Sequence, residues 1–107
     1  MREVVWSPAA GQANDILIRY LREQADDATA RRVHQRILDA AENLGLISTG
    51  RPGRLDGTLE KSVAGTSHII LYALRSRRGQ EFVLILDVVH AARDWRKAGG
   101  RPLPKSR

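Results

Sequence analysis

Hydrophobic residues in the first part of the chain recur at the spacing of an amphipathic helix. Strand-forming residues occupy positions 3–6, and Ser7-Pro8 then offers a capping hydroxyl followed by a proline suited to a first helical turn. The apolar stripe that follows consists of Ala10, Ala13, Ile16, Leu17, Tyr20 and Leu21. We expect this helix to end near Gln24, with polar residues such as Asn14 on its other faces.

A second helical stripe begins after Asp26-Asp27, which supply an N-cap and the negative charge that favours a helix start. Its members are Ala30, Val33, Ile37, Ala40, Ala41 and Leu44. Gly45 is the expected end of this helix. Two such helices joined by a few polar residues predict an antiparallel hairpin, and its apolar stripes need a sheet to cover them.

The second half of the chain changes to a strand pattern after a glycine-rich loop, residues 45–57, which contains Arg51 and Arg54 in the segment GRPGR. Strand-like runs follow at residues 58–64, 68–74 and 81–90, and the connection at 75–80 is short. Runs such as IILYAL and FVLILDVV are apolar on both faces, which is typical of central strands covered on both sides. The predicted order is βααβββ, an α+β fold whose antiparallel sheet packs against an N-terminal helical hairpin.

Length and charge add a domain boundary and a class of partner. The 107 residues fit one domain, which we place at 1–95, followed by a basic flexible tail at 96–107. Residues 1–50 carry six basic and seven acidic side chains, whereas residues 51–107 carry twelve and five. This asymmetry favours binding to a nucleic acid or an acidic protein, although a solvated basic surface explains it equally well.

Several classes of site are disfavoured by what the sequence lacks. It has no cysteine and no apolar run of membrane-spanning length, so we expect a soluble protein of the cytoplasm without membrane contact. Its three histidines are far apart in sequence, and GRPGR does not match a nucleotide-binding phosphate loop. We therefore expect no metal and no cofactor.

A series of short motifs resembles the RelE/ParE toxin superfamily. In chain order they are WSPAA, DI.I.YL, GRPGR..GT, V.GT..II.Y and LILDVVHAARDW, and the resemblance spans residues 5–95. The resemblance implies an antiparallel sheet packed on a helical hairpin. It also implies a cognate antitoxin, whose flexible segment wraps around the toxin and silences it.

The end of the last motif bears on the branch of the superfamily. The ending VVHAARDW is similar to ParE-like toxins, which bind and poison DNA gyrase. RelE-like toxins cut mRNA on the ribosome and usually have a tyrosine near the C-terminus, but no tyrosine follows Tyr72 here. The resemblance therefore implies a ParE-like gyrase inhibitor, with a RelE-like ribosome-dependent endoribonuclease as the alternative.

The candidate site residues follow from these two interpretations. For binding to the target or the antitoxin they are Arg51, Arg54, His90, Arg93 and Trp95. No catalytic residue is assigned to a gyrase inhibitor. In the nuclease alternative, Arg54 and Arg93 would stabilise phosphate charge and His90 would serve as general acid.

Three further residues carry structural expectations. Strict alternation along the last strand places His90 on one face with Phe82, Leu84, Leu86 and Val88, and it places Asp87 on the other face. A carboxylate in an apolar strand is costly, so we expect Asp87 to pair with an arginine or to lie near the end of the sheet. His68 is expected in the core or at its rim, and His34 is assigned no role.

Overall fold

The computed structural model describes residues 1–53 and 55–92, which form two helices and one five-stranded sheet. The elements in chain order are β1 Glu3–Trp6, α1 Pro8–Gln24, α2 Asp27–Leu46, β2 Arg51–Pro52, β3 Leu59–Ser62, β4 His68–Arg77 and β5 Gln80–His90. The strand order across the sheet is β1-β5-β4-β3-β2. The predicted α+β fold, with the helical hairpin before the main strands, is confirmed.

The sheet differs from the prediction in two details. Its β2–β3, β3–β4 and β4–β5 ladders are antiparallel as predicted, but β1 runs parallel to β5. A parallel pair needs a long crossover, and the two helices and three strands between β1 and β5 supply it. The expected loop at 45–57 also contains a short strand, because Arg51 and Pro52 pair with Glu60 and Leu59.

Both helices begin where the sequence predicts. The Ser7 hydroxyl accepts a hydrogen bond from the Ala10 N–H at 3.0 Å, and the Asp26 carboxylate accepts one from the Thr29 N–H at 2.6 Å. Each bond satisfies a backbone donor that the first helical turn leaves without a partner.

The predicted end of α2 at Gly45 is wrong by a short distance, because the helix continues to Leu46. Gly45 instead allows β1 to approach: its carbonyl accepts the Arg2 N–H at 2.7 Å, and an added Cβ would lie 2.7 Å from the Arg2 carbonyl oxygen. The glycine is needed for close packing between a helix and a strand rather than for a cap.

The core lies mainly between the helical hairpin and one face of the sheet. Its fully or nearly fully buried members are Ala10, Val33, Ile37, Ala41, Leu44, Val63, Ile70, Tyr72, Val83, Ile85 and Val88. A smaller buried cluster of Ile69, Leu71 and Val89 occupies the opposite face and packs against Leu55 and Leu86. The central strands are therefore covered on both faces, as their apolar sequences predict. Among the described residues, no helix has the length and hydropathy needed to cross a membrane.

Tyr72 joins this core to the segment that follows α2. Its ring is fully buried, and its hydroxyl lies 2.9 Å from the Ser48 hydroxyl and accepts the Gly50 N–H at 2.9 Å. A Cβ at Gly50 would overlap the same hydroxyl oxygen. The tyrosine thus holds residues 48–50 against the sheet, and glycine is the residue that leaves room for it.

Candidate binding site

A bulge in β5 determines which side chains face the helices. Asp87 pairs with Leu71 and Ile85 pairs with Tyr72, so Leu86 has no partner in β4. The alternation of side chains shifts at this extra residue. As a result Val83, Ile85 and Val88 all belong to the helix-facing core, whereas Leu86 and Val89 belong to the opposite cluster.

This bulge changes the set of residues that strict alternation placed on the same face as His90. Counting back from His90, the residues on its side of the sheet are Val88, Ile85 and Val83, not Leu86, Leu84 and Phe82. His90 therefore lies on the helix-facing side of the sheet, at the end of β5.

His90 faces His68 across the two central strands. They are register partners, and their rings meet edge to face with centroids 5.3 Å apart and planes at 82°. The Nδ1 atom of His90 accepts the Ala92 N–H at 3.0 Å, so the neutral His90 ring carries its proton on Nε2.

The His68 ring is favoured in its neutral form. Burial lowers the pKa of His68 below its usual 6.5, and the nearby His90 acts in the same direction. The Nδ1 atom of His68 is buried and has no hydrogen-bond partner among the residues that the structure describes. The predicted position of His68 at the rim of the core is confirmed.

The two histidines line a cleft of about 1050 Å³ between α1 and the sheet. The cleft is lined by α1, the start of α2, the β3–β4 turn and the ends of β4 and β5. Ile16 and Tyr20 of α1 line it and remain 53% and 57% exposed. The apolar stripe predicted for α1 is thus divided, because Ala10 is buried in the core while Ile16 and Tyr20 face open space.

Arg32 gives this apolar cleft a cationic side. Its Nη1 donates to the Gly65 carbonyl at 3.2 Å, and Arg36 Nη1 donates to the Ala64 carbonyl at 3.4 Å. Both arginines of α2 therefore hold the β3–β4 turn, and Arg32 itself lines the cleft. A binding partner would therefore meet an apolar surface next to a guanidinium group in this cleft.

Asp87 also lines the cleft, three residues before the end of β5. Burial raises the pKa of its carboxyl above the usual 3.8, and the Val88 N–H, which donates to Oδ1 at 2.8 Å, offsets part of this rise. Within residues 1–53 and 55–92 it has no arginine partner. The expectation of a position near the end of the sheet is met, while the expected arginine is not found in the described part of the chain.

Asn14 is buried, although we expected it on a polar face of α1. It is 6% exposed, and its Nδ2 lies 3.3 Å from His34 Nδ1 between the two helices. The signal was present in the spacing, since position 14 follows Ala10 by four residues and precedes Leu17 by three. Helical geometry thus places this amide on the buried stripe, and it gives His34 a structural contact.

The predicted binding residues do not all lie together. Arg51 is on the edge strand β2, where its Nη2 lies 3.9 Å from the Oε1 of the buried Glu60. The strands β3 and β4 lie between Arg51 and His90, a separation of roughly 14 Å at the usual spacing of strands. Arg54, Arg93 and Trp95 lie outside the described residues.

The sequence pattern did not identify a basic surface at the opposite end of β4. The predicted connection at 75–80 is instead the end of a long hairpin, in which β4 continues to Arg77 and β5 starts at Gln80. Arg78 and Gly79 form its two-residue turn, with φ of 53° and 79°, as type I′ turns require. Arg75, Arg77 and Arg78 are all exposed there.

Comparison with known proteins identifies a family and a solved structure with a similar fold. A family model described as the ParE toxin of type II toxin–antitoxin systems, parDE, matches residues 4–95. A solved structure of the chromosomal ParDE toxin–antitoxin system from P. aeruginosa matches with a TM-score of 0.74 at 15% identity, covering 84% of this chain and 96% of that chain. No curated protein sequence matches significantly.

Proposed function

Because the chain belongs to the ParE toxin family of type II toxin–antitoxin systems, we propose that it inhibits DNA gyrase by binding to it and that a cognate antitoxin neutralises it. The observation that carries this proposal is the family match, which extends over residues 4–95 and so includes the strands, the helical hairpin and the cleft. The fold shared with a solved ParDE structure is consistent with it.

The geometry around His90 supports binding rather than RNA cleavage. Metal-independent cleavage needs a base, an acid and cations around one phosphate. The Nδ1 atom of His90 accepts the Ala92 N–H, so it is not free to act as a base, and the pKa of the neighbouring His68 is lowered by burial, which disfavours a second protonated histidine beside it.

The cleft is the surface that we assign to the antitoxin. Ile16 and Tyr20 leave apolar area exposed in a concave site, which is the usual character of a docking surface. Arg32 on the same cleft would attract a carboxylate. An antitoxin segment with apolar side chains and at least one acidic residue would cover both features.

One experiment separates gyrase inhibition from mRNA cleavage. The toxin is induced without its antitoxin, and plasmid supercoiling and transcript integrity are measured in the same cells. Relaxed plasmid with intact transcripts is the expected result. Cleaved transcripts with normal supercoiling would overturn the proposal in favour of a RelE-like endoribonuclease.

A further inference from the structure

The end of the β4–β5 hairpin projects beyond the rest of the sheet. On the β4 side, β3 reaches no further than the Leu59–Tyr72 pair, and on the β5 side, β1 reaches no further than the Glu3–Phe82 pair. Beyond the Arg75–Phe82 pair the described sheet continues as two strands only, through the pairs Ser76–Glu81 and Arg77–Gln80. We refer to residues 75–82 as the arginine ribbon.

The arginine ribbon has regular hairpin geometry up to its tip. Its two-residue turn has positive φ at both positions, which matches the natural twist of the two strands. The guanidinium carbon of Arg77 lies 5.0 Å from the centroid of the Phe82 ring, in a cation–π contact. This contact packs the guanidinium group of Arg77 against the ribbon.

The charge of the ribbon is almost entirely positive. Arg75, Arg77 and Arg78 are exposed and form no ion pair with any acid in the described part of the chain. Glu81 is the acidic residue of the ribbon, and its carboxylate is occupied by Arg2 at 2.5 Å. Three guanidinium groups are therefore available to an anionic partner, with the local acid already neutralised.

We propose that the arginine ribbon binds duplex DNA, with the three guanidinium groups on backbone phosphates. The major groove of B-DNA admits a two-stranded β-ribbon, and arginine binds phosphate through paired N–H donors. A protein partner fits less well, because stable protein interfaces are centred on buried apolar residues and the ribbon offers one large apolar side chain, Phe82. The ribbon is at the opposite end of β4 from the cleft, so DNA and an antitoxin would bind separate surfaces.

The test measures binding of the full-length protein to a labelled 20-base-pair duplex by fluorescence anisotropy over a range of salt concentrations. The ribbon variant carries Arg75→Gln, Arg77→Gln and Arg78→Gln. Its control removes the same net charge from exposed arginines of the helices through Arg19→Gln, Arg22→Gln and Arg31→Gln, of which Arg22 and Arg31 pair with Asp27. The thermal midpoint of each variant establishes that it is folded.

We expect the ribbon variant to bind DNA roughly tenfold more weakly and to lower the slope of log affinity against log salt by about three, one for each phosphate that is no longer neutralised. The control variant should change both quantities much less. Equal reductions in the two variants would overturn the proposal, because they would show a response to net charge alone. Tighter binding to a single-stranded RNA of the same length than to the duplex would overturn it too. Gyrase is absent from the assay, so its outcome is independent of the supercoiling result.

Discussion

His68 and His90 are register partners on the two central strands, and their rings meet edge to face with centroids 5.3 Å apart. They line the cleft together with Asp87 and Arg32, so protonation of the His68 ring changes the charge of this surface. The lowered pKa of His68 and the raised pKa of Asp87 make the free energy of unfolding depend on pH.

The first prediction concerns His68. Because burial lowers its pKa in the folded protein, the unfolded chain binds more protons than the folded one below pH 6.5. The contribution of this group to the free energy of unfolding is complete above pH 6.5 and is lost as the pH falls through the lowered pKa. Urea unfolding across this range should show a shallower pH dependence for His68→Gln than for the wild type. Parallel curves would contradict the assigned burial effect.

The second prediction concerns Asp87, for which the sign is opposite. Its raised pKa means that the folded protein holds the proton more tightly than the unfolded chain, so this group favours folding at low pH and costs stability as the pH rises from 3.8 through the folded value. Asp87→Asn should therefore be more stable than the wild type at neutral pH, and the difference should shrink towards pH 3.8. Asp56→Asn, at an exposed turn position, is the control. A loss of stability in Asp87→Asn at neutral pH would show that the carboxylate has a favourable partner.

The third prediction uses the two tyrosines as a matched pair. Tyr72→Phe removes the hydroxyl that contacts Ser48 and Gly50, and it should lower the free energy of unfolding by about 1–2 kcal/mol. Tyr20→Phe removes a hydroxyl from a side chain that is 57% exposed, and it should change stability by less than about 0.5 kcal/mol. Chemical denaturation of both variants under one set of conditions checks the difference. Equal effects would mean that the buried hydroxyl does not hold residues 48–50.

The fourth prediction tests the cleft as the antitoxin site. Ile16→Asp places a charge on exposed apolar surface in the cleft and should weaken binding of the cognate antitoxin at least tenfold in a calorimetric titration. Ile47→Asp makes the same change on a residue that is 63% exposed and outside the cleft, so it should have little effect. If both variants bound the antitoxin with wild-type affinity, the antitoxin would have to occupy another surface.

The sequence predicted those features that depend on local chemistry. The caps at Ser7 and Asp26 are determined by a hydroxyl or carboxylate immediately before a helical stripe, and the structure contains both bonds. The covered central strands follow from apolar runs on β4 and β5, which form clusters on both faces of the sheet. Such patterns need no knowledge of distant residues.

The features that the sequence did not predict depend on contacts between distant segments. The bulge at Leu86 arises from pairing with β4, so alternation within β5 alone grouped His90 with Leu86, Leu84 and Phe82 instead of Ile85 and Val83. Gly45 was predicted to end α2 because glycine is common at helix ends. Its close contact with Arg2 cannot be inferred from the neighbouring sequence. Residues 75–80 were predicted to form a connection because charged residues are not typical of a central strand. In the structure both strands continue through this segment to a two-residue turn. Identifying the site therefore requires the tertiary structure, whereas the fold class could be predicted from the sequence.

The bulge also has a consequence for how this end of the protein tolerates insertion and deletion. Leu86 is a single residue without a partner in β4. Its insertion determines which face of the sheet each side chain of residues 87–90 occupies. Deleting one codon there would leave the composition almost unchanged, yet it would turn Val88 out of the core and move the histidine away from the cleft. A deletion of one position in this strand is therefore expected to disturb the core more than many single substitutions would.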